Sequence, residues 1–281
     1  MVEENSLTEI LKWYIENGVN EALQEQPVNR LISVQPIKNN QKKDTPFSDI
    51  ITNSAPNSPP VSDPSSKLIP REKAIEFALA AAKSADTLEA LRIVMNEFDG
   101  CPLKQTAKNL VFGEGRIGSN LMFVGEAPGA QEDREGIPFV GPAGQLLNRL
   151  LAAISVERKD VYITNILPWR PPGNRTPTPA EIISCMPFIE RHIELVCPKI
   201  LILVGGVAAK SLLGSSQGIM RTRGKWLEYQ HENLPTPILA RAILHPAYLI
   251  RSPAQKRETW IDLLEIKKKL DDINEDGFSN L

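Results

Sequence analysis

From Leu121 to Leu270 the chain alternates short apolar runs with longer amphipathic segments, and that alternation limits the folds open to it. Leu121 to Val124, Val161 to Thr164, Ile200 to Val204 and the run near Pro237 to Leu244 read as strands, with a further short strand near Leu110 to Phe112. Helices are expected over 143–153, 179–196, 208–213 and 253–270. Strands separated by helices predict a mostly parallel sheet covered on both faces. In such a sheet, sites form where loops leave the carboxyl ends of strands.

The remainder of the chain frames this region. From Arg71, Ala74, Phe77, Ala78 and Ala81 share one helical face, and Thr87 is placed to cap a second helix over Leu88 to Phe98. Residues 35–66 are rich in Gln, Asn, Ser and Pro and lack the apolar surface to order themselves. Before them, Leu7, Ile10, Leu11, Tyr14 and Ile15 fall at helical spacing, with a break at Gly18. The expected organisation is an N-terminal helical segment (1–35), a flexible disordered linker (36–68), a domain (69–270) and an acidic, fraying tail (271–281). The N-terminal helix is read as docking on the domain or on a protein partner.

A hydrophobic content of 42% and a charged content of 23% are those of a soluble globular chain. No apolar run is long enough to span a bilayer and no signal-peptide pattern opens the sequence, so a cytoplasmic protein without membrane contact is expected. Three widely spaced cysteines, Cys101, Cys185 and Cys197, exclude a disulfide framework. The net charge of −2 is unevenly placed: residues 101–270 carry 22 Lys and Arg against 15 Asp and Glu, residues 1–100 carry 10 against 15. The basic excess suits contact with a polyanion, although a mixed solvated surface is the commoner explanation for an imbalance of this size.

Three of the loops that follow strands carry distinctive chemistry. The first, Gly125 to Gly144, holds Gly125, Glu126, Glu132, Asp133 and Phe139 among turn residues. The second holds Asn165 and then Trp169-Arg170-Pro171-Pro172-Gly173-Asn174-Arg175, and the third is His245-Pro246-Ala247-Tyr248-Leu249-Ile250-Arg251. Phe139 can stack on a planar heterocycle, Asn165 can read its Watson–Crick edge, and His245 can stabilise negative charge on an exocyclic oxygen. Glu126 is the first choice for positioning water and Glu132 the second, while Asp133 is read as a loop cap. Arg170, Arg175, Arg223, Lys225 and Arg251 are candidate phosphate contacts, each of which could equally form a surface ion pair. Asn174 either approaches the sugar or shapes the turn. His192 and His231 are read as structural or solvated.

These motifs resemble the family 4 uracil-DNA glycosylases of bacteria and archaea. The resemblance covers roughly residues 98–268 and rests on GEAPG at 125–129, ED at 132–133, PFVGPAG at 138–144 and YITN at 162–165. RPPGNRTPTPAE at 170–181, RG at 223–224 and HPAYLIR at 245–251 complete it. It implies a three-layer α/β/α sandwich and excision of uracil from DNA; a monomer is expected. Gly125, Phe139 and Asn165 would form the base pocket, His245 would stabilise the departing uracil, and Leu249 in the HPAYLIR loop would enter the space that the base vacates. The alternatives are broader excision of deaminated bases, or a non-catalytic DNA-binding or partner-recruiting protein with a degenerate pocket.

Two departures qualify the resemblance. Typical members hold a 4Fe–4S cluster on four cysteines, but Phe98 and Trp169 stand at two of those positions and only Cys101 and Cys185 at the others. The expectation is therefore no cluster and no other metal or cofactor, with the aromatic side chains packed in its place. Pro142 stands where members usually carry Arg, which removes one candidate phosphate or loop contact.

Overall fold

The computed structural model describes residues 71–278; the expected N-terminal segment and linker lie outside the described residues. Helices α1 (Arg71–Ser84) and α2 (Leu88–Glu97) come first, and Thr87 caps α2 by accepting a hydrogen bond from the Ala90 amide at 3.1 Å. The sheet follows, with β1 (Glu114–Gly115), β2 (Leu121–Gly125), β3 (Tyr162–Asn165), β4 (Ile200–Val204), β5 (Trp226–Tyr229) and β6 (Ile238–Ile243). Its order is β1-β3-β2-β4-β6-β5: the four central strands are parallel, and the two edge strands are antiparallel to their neighbours. The intervening and closing helices are α3 (Ala130–Glu135), α4 (Pro142–Ala153), α5 (Pro179–Val196), α6 (Gly206–Leu213), α7 (Ile219–Thr222), α8 (Pro246–Arg251) and α9 (Lys256–Phe278).

Alternate residues of each buried strand serve opposite layers, as the period of two requires. Met122, Val124, Leu201, Leu203, Ala240 and Ala242 join a core with side chains of α1, α2, α5 and α6. Leu121, Phe123, Ile163, Ile200, Ile202 and Ile243 join a second core with Leu147 and Leu151 of α4 and Leu263 and Ile266 of α9. The expected three-layer α/β/α sandwich is thus the observed one.

Three elements differ from the sequence reading. Leu110 to Phe112 is no strand: Val111 donates to the Pro168 carbonyl and Phe112 accepts from the Thr164 hydroxyl, isolated bonds that never build a ladder. The pairing with β3 comes later, at Glu114–Gly115. β5 was not foreseen, because Trp226 and Leu227 are only partly covered, Glu228 is exposed, and an edge strand carries a weak burial pattern. The last helix, expected to end at Leu270, runs on through the acidic stretch to Phe278.

Chain direction across the sheet marks the site. The connection leaving β2 runs to β3 on one side, whereas the connection leaving β4 runs towards β6 on the other. Loops therefore diverge at the carboxyl ends of β2 and β4 and open a crevice there, the expected ligand position in an open α/β sheet.

Candidate active site

At that crevice the ends of β2 and β3 lie in register, with Gly125 opposite Asn165. The pairing continues into the loops, where Ile166 and Leu167 donate to the carbonyls of Gly125 and Glu126. Gly125 is required by close approach: a Cβ there would stand 2.3 Å from Asn165 Oδ1 and 2.7 Å from two ring carbons of Phe139. Phe139 is buried and has φ +52°, a left-handed conformation that costs a side-chain-bearing residue roughly 1–2 kcal/mol. Its ring stacks on the His245 imidazole at a centroid distance of 5.8 Å and an interplanar angle of 30°. Phe139, Asn165, His245 and Glu126 together line a cleft of about 450 Å³.

Polar groups in the cleft are poised for a ligand. Asn165 Oδ1 is buried without a hydrogen-bond partner, an arrangement that costs about 1–3 kcal/mol unless something bound supplies a donor. His245 caps α8, its Nδ1 accepting from the Ala247 amide at 3.1 Å. An accepting Nδ1 fixes the neutral ring's hydrogen on Nε2. Burial, with a contribution from Arg251, lowers its pKa to about 4, so the ring is neutral near pH 7. Gly205, at φ +98°, ends β4 beside it, and a Cβ there would lie 3.2 Å from that of His245.

The two candidate carboxylates have different employment. Glu126 is half-buried at the cleft, and desolvation raises its pKa above the ordinary value. Glu132 is committed to backbone: Oε1 accepts from the amides of Val140 and Gly141 at 3.0 and 2.8 Å, and Oε2 from Gly129 at 3.1 Å. This corrects the expectation that Glu132 is a second choice for activating water; it borders the cleft but spends its lone pairs shaping the loop. Asp133, expected to cap this loop, instead accepts from the amides of Lys108 and Asn109 and ties that preceding segment to α3.

The cations divide similarly. Arg251 lines the cleft beside His245 and is exposed. Arg175 also lines it, paired with Glu181 at 2.6 Å, a contact that lowers the Glu181 carboxyl to about 2. Arg170 donates to Asn174 Oδ1 at 2.7 Å, so Asn174 shapes the turn while bordering the cleft. Arg223 is withdrawn from any phosphate role, since it binds Glu258 and the fully buried Asp262 and ties the approach to β5 onto α9. Lys225 is exposed away from the cleft lining. Leu249, expected to enter the vacated stack, is fully buried with Leu146 and Leu244; Ile250, 47% exposed, is the outward apolar residue of that turn. One-residue phase within a six-residue helix decides between them, and the sequence carries no signal for it.

A second corner gathers the residues at the cluster positions. Phe98 stacks on Trp169 at 6.5 Å and meets Phe188 edge-on at 4.9 Å, while Cys101 and Cys185 are buried in the same core. Hydrogen bonding with Cys101, then burial, pushes the Cys185 thiol well above its usual range. Two thiols beside three packed rings do not match the four-thiolate donor set of a cubane.

Comparison with known proteins agrees with this geometry. Residues 112–264 match the uracil DNA glycosylase superfamily. The type-4 uracil-DNA glycosylase of Pyrobaculum aerophilum is 39% identical over 180 residues, 63% of this chain and 91% of that protein. That of Archaeoglobus fulgidus is 39% identical over 170 residues, 59% of this chain and 84% of its own length. That of Thermotoga maritima is 37% identical over 178 residues, 63% and 90% respectively. With a sandwich of the expected topology and a cleft at its switch point, this chain belongs to the uracil DNA glycosylase superfamily.

Proposed function

We propose that this protein is a DNA repair enzyme that excises uracil from DNA, hydrolysing the N-glycosidic bond to leave an abasic site. The observation that carries the reading is the buried, unpartnered Asn165 Oδ1 beside the Phe139 ring and the neutral His245. Uracil offers a donor at N3 and an acceptor at O4, which match the Oδ1 and Nδ2 of one amide; cytosine presents the opposite pair. With the base flipped out and stacked on Phe139, the bond between base nitrogen and C1′ breaks and its electron pair passes to the uracil ring. His245 Nε2–H donates to the oxygen on which that charge accumulates. Glu126 orients the water that adds to C1′, accepts the proton that this water releases, and opposes the positive character developing on the sugar.

The phosphates flanking the flipped nucleotide fall to Arg251 and Arg175, whose contacts make binding weaken as salt rises. Ile250 replaces Leu249 as the apolar side chain offered to the vacated stack. The protein works without an iron–sulfur cluster, a reading supported by the rings of Phe98, Trp169 and Phe188 in the corner where ligands would be needed. No described helix is long and apolar enough to cross a membrane.

The test is strand cleavage after alkali treatment of single- and double-stranded oligonucleotides bearing one uracil. Cleavage at uracil but not at cytosine is expected. Intact strands with stoichiometric, folded protein would instead favour the non-catalytic DNA-binding reading.

A further inference from the structure

The geometry points to Arg158, which lies outside every motif of the cleft, as the positioning residue that holds Phe139 in its stacking conformation. This rests on the reading of Phe139 as the base-stacking ring. Arg158 lies in the short turn before β3, and its Nη2 donates to the Pro138 carbonyl at 2.6 Å while its Nη1 donates to the Phe139 carbonyl at 3.0 Å. Those two oxygens belong to the peptide planes on either side of the Phe139 Cα. The rotation between the planes is what φ and ψ of Phe139 describe, so one planar guanidinium sets both angles at once.

The grip is itself secured. Nη1 also reaches Asn148 Oδ1 of α4 at 3.0 Å, and Nε and Nη2 reach Glu114 Oε2 of β1 at 3.0 and 2.5 Å. On the far side of Phe139, Glu132 takes the next two amides. The left-handed backbone of Phe139 is thereby held from both directions, with carbonyls bound by a cation and amides by an anion. Such a conformation persists only where its surroundings over-determine it. A lysine could not replace the fork, because one ammonium cannot keep two carbonyls, an amide oxygen and a carboxylate in fixed directions.

The experiment compares wild type with Arg158→Ala and Arg158→Lys. It measures the single-turnover excision rate at saturating protein, affinity for abasic-site DNA, and backbone amide exchange across residues 137–141. Displacing the ring lowers the maximal rate of Arg158→Ala by about 10- to 100-fold. Exchange of the Val140 and Gly141 amides rises by roughly tenfold or more as the loop opens locally. Affinity for abasic DNA stays within about twofold, because the phosphate-facing cations are untouched. Arg158→Lys follows the alanine variant, and is the deciding protein if the alanine variant does not fold.

A wild-type rate in a folded variant, unchanged loop exchange, or a loss confined to DNA affinity would overturn the assignment. An inactive wild type would refute uracil excision instead, and the exchange measurement would still decide whether Arg158 holds the loop.

Discussion

Two corners of the domain share one connecting segment and end in opposite states. The end of β3 delivers Asn165 to the cleft and, four residues later, the loop leaving it delivers Trp169 to the aromatic corner. In the cleft a buried amide oxygen lacks a partner and an imidazole keeps a free Nε2 hydrogen. In the aromatic corner Phe98, Trp169 and Phe188 close on one another and leave the two thiols inside an apolar core. An unpaired buried polar atom is a standing cost that a ligand relieves, whereas packed rings are already at rest. The difference separates what the loop needs for its shape from what it needs for chemistry.

The contrast breaks most sharply at His245. His245→Ala removes the donor aimed at developing negative charge and lowers the single-turnover rate about 10²- to 10³-fold, while loss of its cap on α8 lowers unfolding free energy by only about 1 kcal/mol. A variant as fast as wild type would show the cleft to be no more reactive than the aromatic corner. The converse holds at Trp169, where Trp169→Ala lowers unfolding free energy by about 3–5 kcal/mol in denaturant titration. A loss below about 1 kcal/mol would show that the rings do not carry that corner.

A smaller effect sharpens the comparison through pH. In the proposed mechanism Glu126 is ionised when it orients water; burial raises its pKa above the ordinary value of 4.5, while His245 becomes charged only near pH 4. As pH falls, Glu126 therefore gains its proton first, and the rate declines through that titration before the imidazole changes state. In single-turnover profiles taken from about pH 8 to about pH 4, Glu126→Gln loses this acid limb and starts from a lower plateau. An acid limb unchanged in the variant would assign the titration to another group.

Much of this was legible in the sequence because it depends on local pattern. The strands at Leu121 and Ile200 are short apolar runs, and Phe139, Asn165 and His245 follow strands, where a parallel sheet gathers its loops. What was hidden depends on which way a side chain turns once packed. Glu132 reads as an acid near a pocket, yet folds inward onto three amides. Arg223 sits in a motif like a phosphate contact, but the buried Asp262 of a helix some forty residues later claims it. Arg158 gives no warning at all, since two of its partners are backbone carbonyls, which leave no trace in side-chain identity.

The small apolar cluster beneath α8 has a mechanical consequence. Leu249 is anchored against Leu146 and Leu244, so the turn that presents Ile250 is braced from below rather than hung from a slack loop. In the role proposed for Ile250, a braced side chain pressed against a duplex transmits force instead of absorbing it, and the yielding body is the base stack. Where the stack is already open, as in single strands or at a mismatch, little force is required and the brace becomes nearly idle.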